Sequence, residues 1–343
     1  MYTNYYGLTK KPFDIIPHPG MVFLSEVHQE ALAILKYGVI DRKGFLLLTG
    51  DVGTGKTTLL QKLINSIDTQ IHVCFIANPT LNESEFYHYL AAEYHLDDYD
   101  GNKAKFIINF ARFLENCRKS NQRVLLIIDE AHVLPQQLFE QIRLLSNQKY
   151  EEYGILSIFL VGQPELNDRL GTERLLPLRQ RIGIRFHLNP FSRDETIEYI
   201  RYRLRKAGAQ RLDIFSKEAL MLIHEESKGI PRLINTICDQ AMLSGFAESK
   251  TQIDLETVKE TVQELHIPGE DNSLPLPRTI QNKWFTKRLA ISITCLLVLI
   301  IFVVFMSNTT LHLNEQNIGN LFHKISNLLI EKGAIFWERY FRL

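Results

Sequence analysis

The most constraining feature of this sequence is the string Gly50, Asp51, Val52, Gly53, Thr54, Gly55, Lys56, Thr57. It keeps every fixed position of GxxxxGK[ST], a loop that cradles phosphates. An apolar run at 45–49 precedes it, and a helical pattern opening with Lys56, Thr57 and Thr58 follows it. A strand, a glycine-rich turn and a helix N-terminus in that order bring backbone N–H groups and a favourable potential onto phosphate oxygens. Residues 50–58 are therefore expected to hold a nucleotide. Lys56 would reach the β and γ phosphates of ATP, and Thr57 would ligate Mg²⁺. A chain built this way needs a parallel sheet with its loops gathered at one edge.

Further short apolar runs at 71–77, 124–128, 155–161 and 184–188 alternate with helical patterns. They are too short for helices and too uniformly apolar for half-exposed strands, so they predict buried parallel strands in an α/β layered domain. Asn82 and Glu85 have the spacing of a capping box at the start of one intervening helix. The third run ends in Asp129 and Glu130, two carboxylates at the open edge of the sheet. Asp129 suits support of Mg²⁺, and Glu130 suits the base that orients the attacking water. His132 completes a DEAH string and is assigned no chemistry.

Beyond Pro190 the strand patterns stop, and residues 192–207, 216–227, 231–248 and 254–266 read as amphipathic helices. The expected organisation is an N-terminal leader at 1–24, irregular and rich in Tyr, Pro and Gly, then an α/β nucleotide-binding domain at 25–190. A helical lid at 191–266 and a Pro-containing linker at 267–288 follow. The four cysteines (74, 117, 238, 295) form no CxxC pair, which argues against a zinc site or disulfide framework. Lys plus Arg and Asp plus Glu balance at 39 each, which argues against a nucleic-acid-coating role.

Residues 289–306 carry no charge, and only Ser292 and Thr294 are polar. At about 1.5 Å per residue this run just spans a hydrocarbon core. Lys283, Trp284, Lys287 and Arg288 flank it upstream, and no basic residue follows until Lys324. That bias predicts one transmembrane helix in the bacterial inner membrane, with the nucleotide domain cytoplasmic and residues 307–343 periplasmic. The N-terminus has no apolar core of a secretory signal. In the tail, Ile318, Leu321, Phe322, Ile325, Leu328 and Leu329 share one helical face, suited to a partner or the bilayer surface.

Three weaker stations complete the pattern. Gln163, in VGQPEL at the end of the fourth strand, would stand beside the γ-phosphate. Arg179 and Arg181, in LRQRI, precede the fifth strand, and Arg232, in GIPR, opens a lid helix aimed back at the nucleotide. Together with MYTNYYGLTKKPFDIIPHPG, GFLLLTGDVGTGKTTL, LLIIDEAH, ETIEYIRYRLRKAG and GIPRLINTICDQAML, these strings resemble AAA+ ATPases of the general secretion pathway protein A family, with its pilus-biogenesis and exopolysaccharide-export relatives. The resemblance covers roughly residues 1–265. It implies a P-loop AAA+ core with a parallel five-stranded sheet and a C-terminal helical lid. It further implies that Gln163 is the first sensor, Arg181 the trans-acting finger with Arg179 as rival, and Arg232 the second sensor. Asn78 would restrain the catalytic Glu130. Family members often carry a peptidoglycan-binding module after the membrane helix, for which residues 307–343 are too few.

The function these readings imply is a membrane-anchored, homo-oligomeric ATPase acting on an integral-membrane partner. It would support assembly of a secretion, pilus or polysaccharide-export machine. Two alternatives are a DNA-binding helper ATPase of transposition, against which the membrane helix and neutral charge count, and a slow nucleotide-dependent scaffold.

Overall fold

A computed structural model describes residues 2–14, 21–41, 44–67, 70–96, 99–146 and 155–265. These fall within one compact unit, and the expected linker, membrane run and tail lie outside the described residues. Among the described residues no helix is long and apolar enough to cross a membrane.

The sheet has five strands: β1 Phe45–Gly50, β2 Ile71–Ile76, β3 Arg123–Ile128, β4 Leu156–Gly162 and β5 Ile182–Leu188. Their order is β2-β3-β4-β1-β5, and every neighbouring pair is parallel. β1 and β4 are buried at every position, as strands covered on both faces must be. The outer strands differ. In β5 only Ile182 and Leu188 are fully buried. Gly183 and Arg185 break its apolar run, which is why the pattern placed its start two residues late, at 184.

Alternation along the strands divides the core in two. Leu46, Leu48, Leu125, Ile127 and Phe159 face helices α2 (Glu26–Ile40) and α3 (Lys56–Ile64), whose Leu35, Leu59, Leu60 and Leu63 are buried against them. Leu47, Leu126, Ile158 and Leu160 face the opposite way. There they meet Phe86 and Leu90 of α4 (Glu83–Glu93), Phe106 and Phe110 of α5 (Lys103–Lys119) and Phe139 and Ile142 of α6 (Gln136–Leu145). Each such side chain stabilises the layered arrangement by about 1.5–3 kcal/mol relative to exposure. The capping box of α4 is formed in both directions: Glu85 N–H donates to Asn82 Oδ1 (3.0 Å) and Asn82 N–H to Glu85 Oε2 (2.8 Å).

Two short helices, α7 (Glu165–Leu170) and α8 (Leu176–Arg179), separate β4 from β5. Helices α9 (Arg193–Lys206), α10 (Lys217–Ser227), α11 (Pro231–Ala247) and α12 (Leu255–Leu265) then build a second core around Ile200, Leu204, Ile223, Ile234 and Met242. The N-terminal leader belongs to this core. It makes one helical turn, α1 (Tyr2–Tyr5), and buries Tyr2, Leu8, Phe13 and Met21 among helices α9–α12. Arg203 of α9 donates to the Pro12 and Asp14 carbonyls, and Tyr2 O–H donates to Asp239. Aromatic residues without periodicity make such a segment look irregular, although its side chains are structural.

Candidate nucleotide site

β1, β4 and β3 are adjacent, and the residues singled out from sequence leave the sheet at their carboxyl ends. The loop after β1 turns through Gly53 (φ +84°) and Gly55 (φ +100°), left-handed conformations that glycine adopts without penalty. A Cβ on Gly53 would stand 2.8 Å from Arg232 Cβ, and Arg232 N–H reaches Gly53 O at 3.4 Å. The N-terminus of α11 therefore rests on the P-loop, with the exposed Arg232 side chain beside it. Gly229 fixes this approach: its φ is +72°, and a Cβ there would meet Phe191 O at 1.9 Å. No other residue fits.

Within the loop, Lys56 is buried and its Nζ donates to Gly50 O (2.8 Å) and Asp51 O (2.9 Å). Burial pulls its pKa below the ordinary lysine value, against the opposing charges of Glu130, Asp129, Asp51 and Glu165. An ammonium in this position gains from an anion brought beside it. Thr54 is buried with its hydroxyl on Asp51 O (2.8 Å). Val52 is exposed at the loop tip, and Thr58 is half-buried in the first turn of α3.

Asp129, directly after β3, is held by Asp129 N–H to Ile76 O (2.9 Å). Its Oδ1 accepts Glu130 N–H (2.9 Å) and its Oδ2 accepts the Thr57 hydroxyl (2.7 Å). Glu130 adopts φ 50°, ψ 34°, a left-handed backbone in a residue with a side chain. That strain costs on the order of 1–3 kcal/mol and is typical of functional positions. A 3-10 turn, Ala131–Val133, follows, closed by Val133 N–H to Glu130 O (3.0 Å). The Glu130 side chain is 43% exposed, yet its Oε2 is buried and accepts no aligned hydrogen bond among the described residues.

The donor set fits Mg²⁺ with a phosphate-bearing ligand. Thr57 and Asp129 offer two adjacent hard oxygens, and Mg²⁺ commonly takes one or two protein oxygens with water and phosphate completing its shell. Among the described residues no cluster of three or more His, Cys, Asp or Glu could hold a metal by itself.

The structure also separates some predicted partners. Asn78 is exposed, and its Oδ1 accepts from Thr80 N–H (3.3 Å) and Thr80 O–H (3.0 Å), leaving the side chain turned to its own loop instead of Glu130. Arg181 is anchored in its own chain, donating to Ser146 Oγ (2.8 Å) and Arg143 O (3.4 Å) at the end of α6. Arg179 is exposed, and its guanidinium makes no hydrogen bond among the described residues.

Three residues that sequence reasoning passed over touch the site. His28, buried on α2, reaches Thr54 O through Nε2 (3.1 Å) and Ser25 Oγ through Nδ1 (2.9 Å). A carbonyl only accepts, so Nε2 carries the proton, and burial lowers the ring pKa. His132 lies between Glu130 and Gln163. Arg169 donates to the His132 and Leu134 carbonyls and sits over the Phe139 ring (5.1 Å). Only His132 stood in a recognisable string; the other two had no local signal.

The family profile described as AAA domain matches residues 40–170. General secretion pathway protein A of Aeromonas hydrophila is 42% identical over 255 residues, covering 74% of this chain and 46% of that protein. The chain thus spans less than half the length of that relative. Among solved structures, the ORC2 protein of Aeropyrum pernix in its ADPNP–ADP complexes superposes with a TM-score of 0.56 at 15% identity, over 74% of this chain and 71% of its own. Cdc6p from Pyrobaculum aerophilum superposes equally (TM-score 0.56, 17% identity, 74% and 70% covered). These two likenesses show the fold alone. Residues 40–170 belong to the AAA domain family, and over those 255 residues the chain is a relative of general secretion pathway protein A.

Proposed function

We propose that this chain binds Mg²⁺-ATP in the Gly50–Thr58 loop and hydrolyses it. The observation that carries the reading is the pairing of Thr57 with Asp129 next to a buried Lys56 and a Glu130 whose buried Oε2 accepts no aligned hydrogen bond among the described residues. Lys56 anchors the phosphates as a charged donor. Thr57 and Asp129 hold Mg²⁺, which when bound neutralises charge on the phosphate oxygens. Glu130 accepts a proton from the attacking water, Gln163 positions its partners, and Arg232 brings the lid onto the loop. Hydrolysis then needs a finger from a neighbouring copy in a homo-oligomer. Between the two candidates, the free guanidinium of Arg179 favours it over the anchored Arg181.

At the level of the cell, we infer a single-pass inner-membrane ATPase, anchored by residues 289–306, with its nucleotide domain cytoplasmic and its tail periplasmic. Its nucleotide cycle would act on an integral-membrane partner during assembly of a secretion, pilus or polysaccharide-export machine. The similarity to a general secretion pathway protein supports this reading, together with the one-sided basic flank of the apolar run.

Two measurements test the proposal. Lys56→Ala in the full chain is expected to abolish ATP binding, and unchanged affinity would defeat the loop's assignment. A cysteine placed at Ser307 is expected to react with an impermeant maleimide in cells whose outer membrane alone is permeabilised. Recovery of the chain in the soluble fraction, with no label at that cysteine, would defeat the anchor.

A further inference from the structure

We propose that His132 is a positioning residue that joins the base Glu130 to the sensor Gln163, an inference that rests on the hydrolysis reading above. Its Nδ1 lies 3.2 Å from Glu130 Oε2, the buried oxygen that no aligned donor satisfies. Its Nε2 lies 3.0 Å from Gln163 Nε2. Gln163 N–H also points toward Nδ1, at 3.5 Å. Glu130 Oε2 can only accept and the Gln163 N–H can only donate, so Nδ1 faces one neighbour of each kind, while Nε2 faces the Gln163 carboxamide. Hydrogen bonds of this kind are often poorly aligned before substrate arrives.

Two elements hold the loop that carries the ring. Arg169 of α7 donates to the carbonyls of His132 and Leu134, on the loop that follows β3. Gly162, the last residue of β4, leaves the ring its space: a Cβ there would stand 3.1 Å from His132 N and 3.4 Å from His132 Nδ1. The ring itself is 16% exposed. A movement of Gln163 toward a terminal phosphate would therefore be felt at Glu130 through one rigid imidazole. That would tie the alignment of the base to the presence of the phosphate being cleaved.

The test uses the purified full chain in detergent, with steady-state turnover and ADP affinity measured for each variant. His132→Ala is expected to lower kcat by about 10- to 100-fold, the scale of a misplaced reacting group, with KM and ADP affinity within about threefold of wild type. His132→Asn, closer in shape but too short to reach Gln163, is expected to share the loss. Combining His132→Ala with Gln163→Ala should cost no more than about threefold beyond the worse single variant, because both act through one contact chain. A kcat within about twofold of wild type in either single variant would overturn the proposal. So would losses that multiply in the double variant, or a loss explained by weakened ADP binding. Absence of ADP formation by the wild-type chain would instead defeat the hydrolysis reading itself, and this inference with it.

Discussion

The Thr57 hydroxyl donates to Asp129 Oδ2 at 2.7 Å, joining two residues 72 positions apart in the sequence. This bond brings the helix that follows β1 and the strand end of β3 to one point at the open edge of the sheet. Neither oxygen has that neighbour without the parallel pairing of β3 with β4 and of β4 with β1. If the pair holds Mg²⁺, Asp129→Asn should raise the Mg²⁺ concentration needed for ATP binding by at least about tenfold, since a carboxylate ligand loses its charge. Metal-free nucleotide affinity should change far less. Isothermal titration across Mg²⁺ concentrations checks this, and an unchanged Mg²⁺ requirement would remove Asp129 from the site.

The two arginines before β5 divide by environment. Arg181 is occupied at the carboxyl end of α6, where a cation also suits the helix dipole, while the exposed Arg179 guanidinium makes no hydrogen bond among the described residues. Arg179→Ala should leave ATP affinity intact and reduce turnover by about 10³-fold. Arg181→Ala should chiefly cost about 1 kcal/mol of stability. Turnover and urea midpoints measured side by side decide, and a turnover defect confined to Arg181→Ala would reverse the assignment.

His28 gives the P-loop a pH dependence. Burial lowers its pKa from 6.5, so the folded chain refuses a proton that the unfolded chain accepts. The contribution of neutral His28 is complete above about pH 6.5 and is lost as pH falls from there through the lowered folded value. His28→Gln should therefore be less stable than wild type at pH 8, and the gap should narrow toward pH 5. Urea unfolding of both proteins across that range measures it. A gap of constant size would mean that His28 stays charged or contributes nothing.

Much of the described fold is legible in the sequence. The strands of the sheet announced themselves as short apolar runs because both faces of the central strands are covered, and capping residues marked the helices that contain them. The P-loop and the acid pair were legible because each is a local string whose chemistry depends on neighbours in sequence. What escaped was what faces what. His28 looks like any helix residue three places after a serine cap, and only folding puts its Nε2 on Thr54 O. Arg169 and His132 meet because α7 returns toward the exit of β3. Asn78 had the expected position after β2, but a turn with Thr80 uses its carboxamide. The leader's Tyr2, Leu8 and Phe13 lack periodicity, since they fill gaps between helices α9–α12 instead of lining one face.

The central claim is that Glu130 is the base of an ATPase, and the most direct measurement compares wild type with Glu130→Gln in the full chain with Mg²⁺. An amide cannot accept the proton from water, so the variant should bind ATP within about threefold of wild-type affinity and form ADP at least about 10²-fold more slowly. Retained nucleotide, recovered by filtration and separated by chromatography, should be ATP in the variant and ADP in the wild type. ADP formation by Glu130→Gln at the wild-type rate would contradict the account.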